Sequence, residues 1–391
     1  MNISLSRQPT GLDIAHSLPA VISGQEPKGF NERADVIYAA KDGTNLNDYW
    51  AEAQEVVAMR NAQRNRLIDL LTYKVTDLAE EVALPGAADF ELASEYGLAK
   101  GIRAGVSMIW RGYDFAFYDL ALRYTWMFIA EADARQLKAL TNTALEADNR
   151  LVFGRIMRTL FNPLNGSGIT DRNIPVTQYK FYNADGEVPP PNGTTTFSGS
   201  HTHYRTTQSL GSSATLNTAT IEAVNSDFNS HGYTYEKGYR KILLVSEAEA
   251  AVIRTWRVAT GAPWDFIPDS YAGGVYLPTD QRLVGQPQGR IQDQIGTYGP
   301  WHVVQLENIP TGYVAALVSG GPDNIGNPIG WREHQNPAFR GLKLIPGDRA
   351  GYPLIESYYQ RGIGTGIRHR GAGFIIQVSG SGSYTVPAIY A

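Results

Sequence analysis

The sequence contains no cysteine and little charge. Without cysteine the chain has no disulfide bond, no cysteine-ligated zinc, no iron–sulfur cluster and no thiol catalysis. Charged residues make up 18% of the 391 residues, below the roughly 25% of ordinary soluble domains. No stretch approaches about 18 uninterrupted apolar residues, and the N-terminus lacks the basic and apolar regions of a signal peptide. The sequence therefore predicts neither a signal peptide nor a membrane-spanning helix.

Concentrated positive charge is also missing. The formal net charge is −4, and the chain has neither a basic tail nor a run of five like charges. Tight, sequence-independent binding of DNA depends on a dense field of Lys and Arg side chains. We therefore expect only weak, non-specific contact with nucleic acid.

Glycine and tyrosine are abundant, with 40 and 22 residues, and 43% of the chain is hydrophobic. That hydrophobic content is enough for a packed core. Protein interfaces are depleted in Lys and Glu and enriched in aromatic residues. A low-charge chain with this composition is typical of a protein that buries much of its surface in a constitutive assembly.

The first half of the chain contains an arm, two helical patterns and a strand-rich segment between them. Residues 1 to about 45 are interrupted by prolines and lack periodicity, which indicates an extended arm held by a partner subunit. Apolar spacing predicts a helix over 47–71 and a longer one over 131–163, roughly 45 Å in length. Residues 90–125 combine glycine turn signals with aromatic and β-branched runs, which predicts a long β-hairpin.

The second half alternates short strands with turns. A helix is expected at about 214–231, and "KILLVS" at 241–246 predicts a buried strand with a helix behind it. Further strands are predicted within "GGVYLP", "HVVQLENIP", "GYVAALVSGG", "GLKLIPG" and "GFIIQV". The fold class is therefore α+β, without an internal repeat.

The stretch "ESYYQRGIGTGIRHRGAGF" at 356–374 tests whether the chain binds nucleotides. A dinucleotide-binding turn needs G-x-G-x-x-G between a strand and a helix. Here Gly362, Gly364 and Gly366 alternate with larger residues, and the strand run "FIIQV" follows. We interpret the stretch as a strand whose glycine face lets another backbone or helix approach closely.

The pattern "SHTH" raises the question of a metal site. His201 and His203 lie on one face of an extended chain, but no further ligand stands nearby in sequence, and the flanking residues resemble a surface loop. Because the number and geometry of ligands make a metal site, we interpret the pair as part of a solvent-facing polar strand. No metal and no cofactor are predicted.

Catalytic signatures are not found either. The chain has no G-x-S-x-G, and its acid pairs stand at helix ends, so we predict that it is not an enzyme. A carbohydrate-acting enzyme is the alternative from another class, with a platform of aromatic rings. Its candidate rings, for which buried packing or subunit contact is favoured, are Trp256, Trp264, Tyr271, Tyr276, Trp301, Tyr313 and Trp331.

The order of these parts resembles the major capsid proteins of tailed bacteriophages with the HK97-type fold. The stretches that carry the resemblance are "ADFELASEYG", the run from "YDFAFYDLALRYT" to "RIMRTLFNP", "GAPWDFIPDSYAGGVYLP", "NPIGWREHQNPAFRGLKLIPG" and "YPLIESYYQRGIGTGIRHRGAGFIIQV". It covers most of the chain from about residue 85. The implied HK97-like parts are an N-terminal arm with a helix (1–84), an E-loop flap (85–125), a P-domain (126–241 and 351–391) with a spine helix (131–161), and an A-domain (242–350).

The resemblance implies a shell subunit that associates with itself into hexamers and pentamers of an icosahedral capsid enclosing double-stranded DNA. The protein would be found in the virion after assembly in the cytoplasm of the bacterial host. Scaffolding, portal and decoration proteins are possible partners. Because Met1 stands close to the arm, we expect a separate scaffolding protein or none. An encapsulin-like compartment shell is the alternative with the same fold.

The resemblance also implies where neighbouring subunits would touch. The expected contact residues are Phe90, Lys100, Arg103, Trp110, Arg111, Tyr113, Phe115, Trp331, Arg332 and Glu333. Lys100 is the single lysine of the flap, and some relatives join such a lysine to an asparagine by an isopeptide bond. No asparagine here matches the partner position, so we expect Lys100 to be solvated or to meet a neighbour's carboxylate.

Overall fold

A computed structural model describes residues 39–62, 66–84, 92–93, 95–97, 107–171, 174–212, 214–269, 294–347 and 354–391. Three predicted elements lie wholly or partly outside these ranges: the arm up to residue 38, most of the flap between 85 and 106, and the strand within "GGVYLP" at 273–278.

Six α-helices occur in these ranges, and the longest corresponds to the predicted spine. They are α1 (Leu46–Ala62), α2 (Arg66–Leu71), α3 (Trp126–Glu131), α4 (Ala134–Phe161), α5 (Thr218–Ser230) and α6 (Glu247–Arg254). None of these helices is long and apolar enough to span a lipid bilayer.

Local side-chain chemistry explains the limits of α4. The Asp133 carboxylate accepts a hydrogen bond from the backbone N–H of Gln136 (3.0 Å). The side-chain oxygen of Gln136 in turn accepts one from the backbone N–H of Asp133 (3.4 Å). This reciprocal pairing starts a helix because it satisfies amides that have no partner within the helix. The helix ends at Phe161, just before Asn162-Pro163. The prediction of a long helix over 131–163 is confirmed, with a start three residues later than expected.

The described part of the helix predicted over 47–71 consists of α1 and α2, which begin and end within one residue of the predicted limits. The chain then enters the first strand at Thr72. Tyr49, Trp50, Ala53 and Val57 are buried along α1, which explains why the apolar spacing was recognisable.

Sixteen strands are found in the described ranges. In chain order they are β1 (Thr72–Val75), β2 (Ala79–Leu84), β3 (Ser107–Gly112), β4 (Ala116–Thr125), β5 (Gly166–Asp171), β6 (Ile174–Gln178), β7 (Tyr204–Thr206), β8 (Arg240–Val245), β9 (Phe266–Pro268), β10 (Gln294–Tyr298), β11 (Trp301–Gln305), β12 (Tyr313–Ser319), β13 (Ile329–Arg332), β14 (Leu342–Pro346), β15 (Leu354–Ile367) and β16 (Gly373–Gln377).

A seven-stranded sheet forms the centre of the larger core, in the order β7-β16-β12-β8-β11-β10-β9. Ile242 and Leu244 of β8 face a cluster that includes Ile156 and Leu160 of α4. Leu243 and Val245 face the opposite cluster, which includes Val224 and Phe228 of α5 and Ile253 of α6. Because helices cover both faces of the strand, its sequence is continuously hydrophobic, as predicted from "KILLVS".

The hairpin predicted over 90–125 has different boundaries. β2 pairs antiparallel with β3, from Ala79 opposite Gly112 to Leu84 opposite Ser107. The hairpin therefore begins before residue 85. β4 does not complete it but pairs with β15, in a sheet whose main order is β1-β13-β15-β14. The prediction missed β2 because its sequence, "AEEVAL", has no aromatic residue.

The chain divides into two compact units. Unit 1 consists of Met1–Ala58, Asp119–Ala144 and Lys343–Gln360, and unit 2 of Met59–Tyr118, Leu145–Leu342 and Arg361–Ala391. In unit 1, the Tyr49 hydroxyl donates a hydrogen bond to the Leu137 carbonyl (2.8 Å). The seven-stranded sheet and both of its core clusters belong to unit 2.

Candidate functional site

The glycine-rich strand β15 holds the segment that joins β3 to β4. An ideal Cβ on Gly364 would lie 1.6 Å from the Asp114 carbonyl oxygen, and one on Gly366 would lie 2.4 Å from Tyr113 Cδ1. Both distances are far below van der Waals contact, so only glycine fits. The prediction that the glycine face admits a second backbone is confirmed, and the approaching backbone is the base of the hairpin.

Hydrogen bonds hold this junction in place. An oxygen of the Asp114 carboxylate accepts from the Thr365 amide (2.6 Å), and Arg155 forms an ion pair with the same carboxylate. Arg332 Nη1 donates to the Tyr113 carbonyl (3.0 Å). The base of the hairpin is therefore anchored to a buried strand, whatever lies at its tip.

Tyr113 is buried at this base and makes its contacts inside the subunit. Its hydroxyl donates to Glu80 (2.9 Å) and accepts from the Tyr73 hydroxyl (2.6 Å). Burial raises the pKa of both tyrosines above the ordinary value, so both keep their protons near neutral pH. The Tyr113 side chain is a structural element of the subunit and is not available to a neighbour.

Arg111 and Arg370 form a buried cluster of charge with two acids. Arg111 Nη1 lies 2.8 Å from Glu187 Oε2. Arg370 Nη1 donates to the same oxygen (2.8 Å), and its Nη2 donates to Asp185 Oδ2 (2.8 Å). Burial opposes ionisation of Asp185, but hydrogen bonds from Arg370 and Asn165 outweigh it and lower the Asp185 pKa. Arg370, one of the three arginines in the stretch at 356–374, thus makes its contacts inside the subunit and stabilises the fold.

The exposed apolar side chains of the hairpin present a different surface. Trp110 is 52% exposed and Met108 53% exposed on β3, and Phe117 at the start of β4 is 49% exposed. Arg111 and Gly112, which follow on β3, are buried. One face of this short hairpin is therefore attached to the subunit while large apolar groups stay in solvent.

A shallow cleft brings together three of the predicted contact residues. Its volume is about 230 Å3, and its lining residues are Thr76, Phe115, Arg332, Glu333, His334 and Gln335. The Arg332 guanidinium stacks over the Phe115 ring at 5.2 Å. Trp331 is buried beside the cleft, where its Nε1 donates to Glu333 (3.1 Å).

The ten predicted contact residues thus fall into three groups. Phe90, Lys100 and Arg103 lie outside the described residues. Arg111, Tyr113 and Trp331, which were expected to contact a neighbouring subunit, are buried within this one. Trp110 is exposed, and Phe115, Arg332 and Glu333 are partly exposed.

The structure corrects the interpretation of His201 and His203 as part of a solvent-facing strand. His203 is completely buried and His201 largely so, and both meet Asp227 and His231 at the end of α5. The sequence contains a usable signal for this cluster, because Asp227 and His231 are four residues apart on a helix. Asp227 and His231 are more than twenty residues from His201 and His203 in the sequence, so only the fold shows that the two pairs meet.

Three of the four candidate tryptophans cannot form the proposed carbohydrate platform. Trp256, Trp301 and Trp331 are buried in core clusters, as the favoured interpretation expected, and buried rings cannot stack on a sugar. Trp264 and Tyr313 are partly buried against the same clusters. Tyr271 and Tyr276 lie outside the described residues.

Comparison with known proteins identifies the family. No protein-family model and no curated protein matches the chain. Among solved structures, a chain of Mycobacterium phage Patience is 34% identical with a TM-score of 0.69, and the match covers 93% of this chain and 96% of that one.

Two further matches are the capsid of the native GTA particle (14% identity, TM-score 0.46, 80% of this chain and 89% of that one) and the mature capsid of bacteriophage PhiM1 (9%, 0.47, 80% and 87%). Both are too distant to support a functional statement. The Patience match extends over nearly all of both chains and so includes the region from about residue 85 that carries the resemblance in the sequence. The chain belongs to the major capsid proteins of tailed bacteriophages and is a structural subunit of the capsid.

Proposed function

We propose that this subunit assembles into hexameric and pentameric capsomers of an icosahedral shell around double-stranded DNA, and that the β2–β3 hairpin is the E-loop that rests on a neighbouring subunit. The observation that carries the proposal is the exposure of Trp110 and Met108 on a two-stranded hairpin. A hairpin of two strands is at best marginally stable in water. It gains stability if a second subunit covers its apolar face.

The size of the effect fits an assembly of many weak contacts. Burying one large apolar side chain contributes about 1.5–3 kcal/mol. Covering Trp110 and Met108 at every subunit boundary would repeat this gain around each capsomer. Because the boundaries form a closed surface, contacts that are weak singly sum to a stable shell.

The partly exposed residues of the cleft complete the proposed contact surface. Phe115, Arg332 and Glu333 lie together there, and their partly exposed side chains would face the neighbouring subunit. Phe90, Lys100 and Arg103 remain proposed contacts on the strength of the family resemblance alone. The side chains of Arg111, Tyr113 and Trp331 are buried and would not take part in this contact surface.

The division into parts and the partners also belong to this proposal. Helix α4 would be the spine of a P-domain formed by 126–241 and 351–391, beside an A-domain at 242–350. With a net charge of −4, the shell would attract packaged DNA only weakly. Assembly would take place in the bacterial cytoplasm, with scaffolding, portal and decoration proteins as further partners.

Replacement of the exposed tryptophan tests the proposal. Wild-type protein should sediment as megadalton shells or as capsomers and show shells, tubes or rings in negative stain. Trp110→Ser should shift the protein towards free subunits while its circular dichroism and melting temperature stay unchanged. Tyr235→Ser is the matched control, since Tyr235 is an exposed aromatic residue (67%) outside the hairpin. Normal assembly of Trp110→Ser would contradict the proposed role of the hairpin.

A further inference from the structure

Three imidazoles and one carboxylate converge where the extended segment before β7 passes the end of α5. The Nε2 atoms of His201, His203 and His231 lie 2.9, 3.0 and 3.1 Å from one another. Asp227 Oδ2 lies 3.1 Å from His203 Nε2. Asp227 and His231 stand one helical turn apart, and His231 caps the C-terminus of α5.

Hydrogen bonding alone cannot account for three nitrogens at these distances. Each imidazole nitrogen either carries a proton and donates or carries a lone pair and accepts. Among three mutually close nitrogens, at least two must be of the same kind. At least one of the short contacts is therefore donor against donor or acceptor against acceptor, which is repulsive. A cation at the centre removes the conflict, because all three lone pairs can then point at it.

The surroundings fix the protonation that a metal ligand requires. His203 Nδ1 lies 2.6 Å from the Gly373 carbonyl oxygen, to which it must donate. In the neutral tautomer that donates from Nδ1, the lone pair is on Nε2 and faces the cluster, as in metal sites where a carbonyl fixes the histidine tautomer. The His231 ring lies between Tyr182 and Phe197, stacked on both, so its direction is fixed as well.

The Asp227 carboxylate adds oxygen atoms to the three imidazole nitrogens. Its Oδ2 atom lies 3.1 Å from His203 Nε2, and its Oδ1 atom lies 3.8 Å from His201 Nε2. Imidazole nitrogens and a carboxylate oxygen that converge on one point form a donor set that suits a divalent transition metal.

We propose that His201, His203 and His231, through Nε2, and Asp227, through a carboxylate oxygen, bind a zinc ion. Imidazole nitrogen favours zinc and related transition metals, whereas calcium and magnesium take oxygen ligands. Zinc prefers four tetrahedral ligands at about 2.0–2.1 Å, which places ligand atoms about 3.3 Å apart. The four ligand atoms all lie within 4.8 Å of one another, so small side-chain rotations suffice.

The site is structural by its ligand count and burial. Four protein ligands leave no open position for a substrate, in contrast to catalytic zinc sites with three protein ligands and a water. The ion would tie the segment before β7 to the end of α5, and through His203 to β16 of the seven-stranded sheet. This clamp is independent of the proposed capsid contacts.

Metal content provides the first test. Untagged full-length protein, purified without chelator, should carry about one zinc per chain by plasma mass spectrometry. His201→Asn removes one ligand at the partly exposed side of the cluster and should lower zinc affinity by at least about 100-fold. His302→Gln, which replaces a buried histidine outside the cluster, should leave zinc content unchanged. Equal zinc content in both variants would overturn the proposal.

Two further measurements keep the test decisive if His201→Asn folds poorly. Chelator-treated wild-type protein titrated with Zn2+ alone should gain at least about 3 °C in melting temperature. Titration with Co2+ should give the intense visible bands of a four-coordinate site. A wild-type protein that shows neither a thermal shift nor these bands binds no metal in the cluster, and the proposal is then wrong.

Discussion

The Asp114 carbonyl oxygen occupies the space that a Cβ atom on Gly364 would need, at 1.6 Å from the ideal Cβ position. The contact joins the turn between β3 and β4 to the buried strand β15. Because the obstacle is backbone on both sides, no rotamer change can relieve a clash. The alternating glycines of β15 therefore serve the attachment of the hairpin.

Gly364→Ala should destabilise the subunit severely. Overpacking a well-packed site costs typically 1–3 kcal/mol, and a clash between two backbones places this variant at about 3 kcal/mol or more. Gly154→Ala is the matched control, because a Cβ at Gly154 meets nothing within 4 Å and alanine favours the interior of α4 by about 0.5–1 kcal/mol. Denaturant unfolding of both variants measures the difference, and an equally stable Gly364→Ala would show that the backbone can move apart.

Arg370→Met should lower the free energy of unfolding by about 1.5–3 kcal/mol, since it removes charge-assisted hydrogen bonds to Asp185 and Glu187, which keep only Asn165 and Arg111 as partners. Arg123→Met serves as the control. Arg123 pairs with Glu356 at 2.8 Å but is 63% exposed, so its loss should cost less than about 1 kcal/mol. Thermal melting of the two variants separates the buried pair from the exposed one.

The same cluster predicts a dependence on acid. The lowered Asp185 pKa means that the unfolded chain takes up a proton at a pH where the folded chain does not. The contribution of ionised Asp185 to the free energy of unfolding is therefore complete above the ordinary pKa near 3.8, and it is lost as the pH falls below that value towards the lowered pKa. Melting temperatures between pH 5 and pH 3 should fall less steeply in Arg370→Met than in wild type. Parallel curves would exclude Asp185 as a source of the loss.

Tyr113→Phe and Trp110→Ser should separate folding from assembly. Tyr113→Phe removes the hydroxyl that connects Tyr73 with Glu80, which should cost about 1–3 kcal/mol and leave particle formation intact. Trp110→Ser should have the reverse effect. Melting temperature and sedimentation velocity, measured on both variants, check the pair of outcomes. A Tyr113→Phe protein that is stable but fails to assemble would return Tyr113 to the contact surface.

His302 should make the protein less stable in mild acid. Burial, and secondarily the nearby Arg240, lowers the His302 pKa to about 4, whereas an unfolded histidine titrates near 6.5. As the pH drops from about 6.5 to about 4, the unfolded state gains a proton that the folded state resists, at a cost on the order of 2–3 kcal/mol. His302→Gln should flatten the stability curve over this window. An unchanged slope would show that other groups dominate it.

Several elements were predictable because their signals are local. The run "KILLVS" marks β8, since a strand covered on both faces has apolar residues at every position. The long helix α4 followed from apolar spacing and the Asn162-Pro163 stop. Its start at Ala134 is marked by the spacing of Asp133 and Gln136, which cap the helix reciprocally.

The contact surface was predicted less well because exposure is not a local property. Trp110 and Tyr113 stand three residues apart in one aromatic segment, yet the first faces solvent and the second is buried against Tyr73. The difference comes from the position of β15, whose glycines lie far along the chain. Without the position of that strand, the sequence of the aromatic run does not show which residues are exposed and which are buried.

The residue pattern alone determined that this is an α+β chain poor in charge, with a long helix and a strand-rich body, because hydrophobic periodicity depends on near neighbours in the sequence. Only the tertiary structure decided that Asp114 rests on Gly364 and that His201 and His203 meet Asp227 and His231. The residues in each of these contacts are separated by tens to hundreds of positions in the sequence. They meet only because the strands and helices that carry them pack together when apolar surface is buried.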